Sequence, residues 1–187
     1  MSEQPSGPLF KGLAVHRDLR YRYSYLLPEG WHDRELETEG GRGRIFSPVL
    51  DNVDTSFSTE ARDLGTTITE EDLPILREGM LGGLQQLADL TIEKQEASAS
   101  GDLVNLEVWF TFRDTATDAL RKRWLRLAYQ GQIQVRLIAQ GATPEEFDYW
   151  LPLFNQAIRT FQFADWWAEM TGQAWQQSLK GDYPDGE

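Results

Sequence analysis

Residues 102–114, DLVNLEVWFTFRD, constrain this fold more than any other stretch, because apolar side chains recur there with period two. In an extended chain Leu106, Val108, Phe110 and Phe112 fall on one side, and Glu107, Trp109, Thr111 and Arg113 on the other. A strand with one wholly apolar face needs a sheet to lie in and a layer to cover it. The run before it, LTIEKQEASAS (90–100), joins it around Ser100 and Gly101, which predicts a hairpin. ALRKRWLRLAYQ (119–130) and QIQVRLIAQ (132–140) flank Gly131 as a second hairpin, with Trp124 on the side opposite Arg121, Arg123 and Leu125.

Further strands are expected upstream. YRYSYLL (21–27) alternates Tyr21, Tyr23 and Tyr25 with Arg22, Ser24 and Leu26, and PEGW closes it in a turn, with Trp31 directly after. RGRIFSP (42–48) and VDTSFSTEARDL (53–64) read as strands interrupted by Pro48 and the Asp51, Asn52 turn signal. Together these make an antiparallel sheet of six or seven strands.

Two stretches change period. From Thr69 to about Ala88, Leu73, Leu76, Met80, Leu84 and Leu87 recur at threes and fours, with Thr69 or Asp72 as N-cap and Pro74 near the first turn. Gly79, Gly82 and Gly83 lie off that stripe, so that side is either solvated or closely approached. In TPEEFDYWLPLFNQAIRTFQF (143–163), Thr143 caps, Pro144 takes the first helical position and Glu146 completes a capping box. Phe147, Trp150, Leu151, Phe154, Ile158 and Phe161 form its apolar stripe, and Pro152, on the opposite side, removes a backbone hydrogen bond and should kink the helix. Two helices on a meandering antiparallel sheet give an α+β fold, an α/β/α sandwich.

A chain of 187 residues fits one domain with appendages. Residues 1–9 read as a disordered tail, 10–163 as the domain, 164–180 as a C-terminal amphipathic helix and 181–187 as a second tail. The chain has no cysteine, which excludes disulfides, thiolate nucleophiles and Cys-ligated metal. A formal net charge of -12 repels phosphate backbones, so nucleic acid is not the expected partner. No run of apolar residues reaches membrane-spanning length, and residues 1–20 show no basic start followed by an apolar run, so a cytoplasmic protein is expected.

The order of these elements, with YRYSYLLPEGW, IFSPVLDNVDTSFS and the late helix ending IRTFQF, resembles the PsbP-like family over residues 20–163. That family includes the extrinsic P subunit of the oxygen-evolving complex, a Ran-binding nuclear-import factor and the bacterial DcrB-like proteins. Pro28, Gly30 and Trp31 carry the aromatic-strand and P-x-G-W signature, in which the turn needs Pro and Gly and the indole fills the core. The resemblance implies an α/β/α sandwich around an antiparallel sheet, acting as a non-enzymatic binding or assembly module. It carries no particular partner, and the segment after Phe163 lies outside it.

No catalytic set assembles from the residues. His16, in the N-terminal tail, and His32 are the only histidines, and both read as surface residues. The carboxylates of TEEDL (69–73) and EEFD (145–148) fall at helix N-termini, where the helix dipole favours them. Neither metal nor cofactor is expected. Residues 105–142 hold Arg113, Arg121, Lys122, Arg123, Arg126 and Arg136 against Glu107, Asp114 and Asp118. This local excess is either a sheet face neutralised by neighbouring carboxylates or a surface for an acidic partner or phosphorylated ligand. In FADWWAEMTGQAWQQ (163–177), a helix would bring Phe163, Trp166, Trp167, Met170 and Ala174 onto one stripe and leave Trp175 apart. That stripe either folds back on the sheet or docks on another protein or a second copy. The expected partner-binding residues are therefore Trp166, Trp167, Met170, Trp175, Arg121 and Arg123. The alternative is a carrier that holds a small apolar or aromatic ligand between sheet and helix by Trp109, Trp124 and Trp150.

Overall fold

A computed structural model of the chain describes residues 7–164, apart from 9, 37, 39 and 40. In chain order its elements are β1 (Leu13–Asp18), β2 (Tyr23–Pro28), β3 (His32–Leu36), β4 (Gly41–Ser47), β5 (Ser56–Asp63), α1 (Leu73–Leu84), β6 (Ala88–Ser100), β7 (Leu103–Asp114), β8 (Ala119–Gln130), β9 (Ile133–Gly141), α2 (Pro144–Thr160) and β10 (Gln162–Phe163). The strands form a seven-stranded sheet, β3-β4-β5-β9-β8-β7-β6, and a three-stranded sheet, β1-β2-β10. Neighbouring strands in both sheets pair antiparallel. This is the expected α+β sandwich.

The alternation in β7 splits the core in two. Val104, Leu106, Val108, Phe110 and Phe112 are buried beneath α1, together with Ile68, Met80, Leu84, Leu125 and Tyr129. The opposite parity, with Trp124, Ala128, Val135, Leu137, Ala139, Phe57 and Phe46, packs against Phe147, Phe154, Ala157 and Ile158 of α2 and the tyrosines of the small sheet. Each large side chain buried this way stabilises the fold by about 1.5–3 kcal/mol relative to exposure.

Both helix starts follow local rules. Thr69 and Asp72 form a capping box ahead of a single 3-10 turn that leads into α1. At α2 the Thr143 hydroxyl accepts from the Glu146 amide at 3.2 Å, and Pro144 occupies the first position. The helix runs on through Pro152, which is exposed. Expected helix ends differ in two places: α2 stops at Thr160, Phe161 is extended and Gln162–Phe163 pairs with β2 instead of continuing a helix, and α1 stops at Leu84 instead of near Ala88. Leu87 donates its amide to the Leu84 carbonyl in a turn, and Ala88 already belongs to β6. Gly79, Gly82 and Gly83 are exposed with open space where a side chain would stand, so that side of α1 is solvated.

The small sheet corrects two expectations. The tyrosine strand β2 does not join the large sheet; it is the centre of the three-stranded one, with β3 taking the edge place in the large sheet. His16 is no tail residue either. It lies in β1 opposite Tyr25, stacked on that ring at 5.6 Å and edge-on to Phe46 at 4.6 Å, because pairing with β2 turns it inward.

Candidate functional site

The basic stretch of residues 105–142 resolves into individual partnerships. Arg113 pairs with Asp89 and Asp118, Lys122 with Glu93 and Asp148, Arg126 with Glu107, and Arg136 with Glu60. Arg121 is only 4% exposed; its Nε donates to Asp114 at 2.8 Å and one Nη to Asp54 at 2.9 Å, while the other Nη is buried without a hydrogen-bond partner. Most of the local excess is thereby neutralised in place.

Arg123 differs. No carboxylate among the described residues lies within ion-pair distance of it; its Nε donates to Gln140 Oε1 at 2.5 Å and its guanidinium lies 4.5 Å from the centre of the Phe112 ring. Gln140 is itself fixed by a bond from its Nε2 to the Asp54 carbonyl at 2.9 Å. Burial, reinforced by the like charges of Arg121 and Arg136, pulls the Arg123 pKa down to about 10. The group stays cationic at neutral pH, with its charge poorly compensated.

Register places Arg123 at the border of an open surface. Cross-strand partners share a face, so the rows Arg34–Ile45–Ser58–Ile138–Leu125 and Leu36–Gly43–Glu60–Arg136–Leu127 run side by side across five strands. Arg123 with Gln140 and Ser56 lies on one flank, and Arg62 with Gln134 on the other. α1 covers the β6–β7 end of this face. Among the described residues the other half stays open: Arg34, Arg62 and Arg136 are exposed, and Ile45, Ser58 and Ile138 half-exposed. Arg34, Arg62, Arg123 and Arg136 share this face across β3, β5, β8 and β9; Glu60 pairs with Arg136, and Asp114 offsets part of the charge on Arg123.

Arg34 and Arg62 are absent from the residues expected on sequence grounds. HDREL (32–36) has no apolar alternation to mark it as a strand, and only pairing with β4 shows that Arg34 faces with Ile45. The segment holding Trp166, Trp167, Met170 and Trp175 lies outside the described residues.

The other tryptophans are packed on neighbours. Trp124 is buried, 4.5 Å from Trp109 between ring centres, and its Nε1 donates to Glu107 at 3.0 Å. Trp109 meets Phe147 edge-on at 5.9 Å, and Trp150 meets Trp31 at 5.5 Å. A depression of about 310 Å³ on this side of the sheet is lined by Glu96, Ala97, Ser98, Asn105 and Glu107. Glu96 and Glu107 are direct cross-strand partners there. The bond from Lys94 holds the Glu96 carboxyl below its ordinary range, which suits a fixed anion better than a proton donor. Among the described residues no three His, Asp or Glu side chains gather to hold a metal ion, and no helix is long and apolar enough to cross a membrane.

No family model matches the chain, and no curated protein matches it. Solved structures do. The solution structure of cyanobacterial PsbP (CyanoP) from Synechocystis sp. PCC 6803 matches with a TM-score of 0.57 and 14% identity, over 86% of this chain and 97% of that one. The Ran-binding protein Mog1p of Saccharomyces cerevisiae matches with a TM-score of 0.52 and 11% identity, over 82% and 96%. LpqN of Mycobacterium tuberculosis, a protein involved in cell envelope biogenesis, matches with a TM-score of 0.50 and 11% identity, over 81% and 90%. At such identities the likeness shows the shared fold alone.

Proposed function

We propose that this chain, which has the PsbP-like fold, acts as a non-enzymatic module that binds another protein. The observation that carries the reading is the half-open face of the large sheet. One face is sealed by α2 and the small sheet, whereas the other exposes guanidiniums and half-exposed isoleucines side by side over β3, β4, β5 and β9. Arginine beside apolar side chains is the composition that protein interfaces favour. The fold supports the same reading by analogy, since Mog1p is a Ran-binding protein. The aromatic segment with Trp166, Trp167, Met170 and Trp175 is proposed as a second contact, on its sequence.

Affinity capture by the full chain from its native cell, followed by reconstitution from purified components, tests the proposal. We expect a partner that binds saturably and at fixed stoichiometry. If no captured protein rebinds once purified, the chain is not a binding module. A W166A/W167A/W175A variant in the same assay shows whether the aromatic segment contributes. We extend the proposal to a cytoplasmic location, which fractionation of the native cell checks.

A further inference from the structure

Resting on the binding-module reading, we infer that the open half of the large sheet seats an acidic segment of a partner protein, with one of its carboxylates paired to Arg123. Three observations meet at this place. The face carries four guanidiniums, one of them paired with Glu60, in a chain whose formal net charge is -12. An acidic protein that sets several cations on one face offers a local positive field to an anionic partner.

Arg123 is the anchor. Among the described residues its hydrogen bonding uses Nε, so both Nη groups remain to donate, and a guanidinium presents them in a geometry that a carboxylate matches. Gln140 and the Phe112 ring fix its plane, so little side-chain freedom is left to lose on binding. Arg121, two residues away on the same face, is buried and already paired with Asp54 and Asp114, so Arg123 is the guanidinium of the two left for a partner.

The relief of the face selects a polypeptide. Gly43 is buried against Leu36 and Thr38, whereas Ser58 keeps its row low between Ile45 and Ile138, with Arg34, Arg136 and Arg123 around them. Neighbouring strands are about 4.8 Å apart, so the step from Arg34 to Ile138 spans about 14 Å, the length of about four extended residues. A segment with acidic and apolar side chains satisfies both components. A nucleic acid would meet the cations but not the isoleucines, and the whole-chain charge repels it at long range.

The test uses the full chain and a fluorescein-labelled hexaglutamate peptide, read by anisotropy at low and at physiological salt, with hexaglutamine as control. We expect saturable hexaglutamate binding that weakens with salt, and a loss of about tenfold or more in R34E/R136E and in R123Q. The R17E/R20E variant makes the same charge change on the small sheet and its following turn, and should stay within about twofold. Should R123Q fail to fold, R34E/R136E, which alters only exposed side chains, carries the test. Absence of saturable binding, or an equal loss in R17E/R20E, overturns the inference. So does tighter binding of a single-stranded DNA oligonucleotide that R34E/R136E abolishes, or a self-association in sedimentation that the same variant abolishes. If the wild type and R34E/R136E capture and rebind the same protein equally well, this surface is wrong while the binding-module reading stands. If neither binds any protein, the reading itself fails.

Discussion

Gly141 closes β9 against the first turn of α2 so tightly that a Cβ there would stand 2.4 Å from the Phe147 amide nitrogen and 2.6 Å from its Cα. The clash is with backbone, which cannot swing aside. Gly141→Ala should therefore cost about 1–3 kcal/mol, measured by denaturant titration, although alanine usually favours ordered structure over glycine. His16 gives a second test. Burial among Tyr25 and Phe46, and then the charge of Arg44, lower its pKa from the ordinary value of 6.5. The folded chain thus resists a proton that the unfolded chain accepts. The stability this contributes is complete above about pH 6.5 and is lost as pH falls below that value toward the folded pKa. Unfolding of wild type and His16→Phe across pH 7.5 to about 5 should show the smaller loss in the variant; parallel curves would mean that His16 takes up its proton equally in both states. Sequence alone could not see this, because a histidine's surroundings are a matter of which strand it pairs with.

Among the elements, α2 is the one most fully written in local sequence. Thr143, Pro144 and Glu146 mark its start, and its stripe supplies Phe147, Phe154 and Ile158 to the core. Two changes in it should move stability in opposite directions. Thr143→Ala removes an N-cap and should cost about 1 kcal/mol. Pro152→Ala, at an exposed position inside the helix, restores a backbone donor and should stabilise by about 1–3 kcal/mol. Thermal melts followed by circular dichroism check both. The β6–β7 and β8–β9 hairpins were equally legible, since Gly101 and Gly131 take positive φ at their turns and apolar alternation marks β7 and β8. β1 and β3 were not. Neither LAVHRD nor HDREL sets a clean apolar face against a polar one, so pairing and not periodicity makes them strands. β6 is a long edge strand whose exposed Glu93, Lys94 and Glu96, with register irregularities at its start, discourage a second chain from adding to it.

At the scale of the molecule, the two sheets share one aromatic core. Tyr23 and Tyr25 of β2 both reach the Thr59 hydroxyl of β5, at 3.4 and 3.3 Å, and Tyr25 lies 5.4 Å from Phe57. The small sheet is also tied to the late helix, since Leu26 donates its amide to the Thr160 hydroxyl at 2.9 Å and β10 pairs with β2. Residues far apart in sequence are therefore needed for one cluster, and the described body should unfold as a unit. Phe57→Ala, at a fully buried site, should cost about 3–5 kcal/mol and lower the midpoints seen by tryptophan fluorescence and by circular dichroism together. Separate midpoints would show the small sheet to be an independent layer.

The sequence by itself determined the elements whose chemistry is local: capped helices, glycine turns, and strands whose side chains alternate. These depend on residues within a few positions of one another, and so do their signals. Tertiary structure decided which strand lies beside which, and with that the fate of each charge. Arg121 and Arg123 are two residues apart on one face of β8, yet Asp54 and Asp114 neutralise the first while the second meets only Gln140 and Phe112. A charge is compensated or left over according to what crosses the sheet beside it, and strand order is a property of the whole chain.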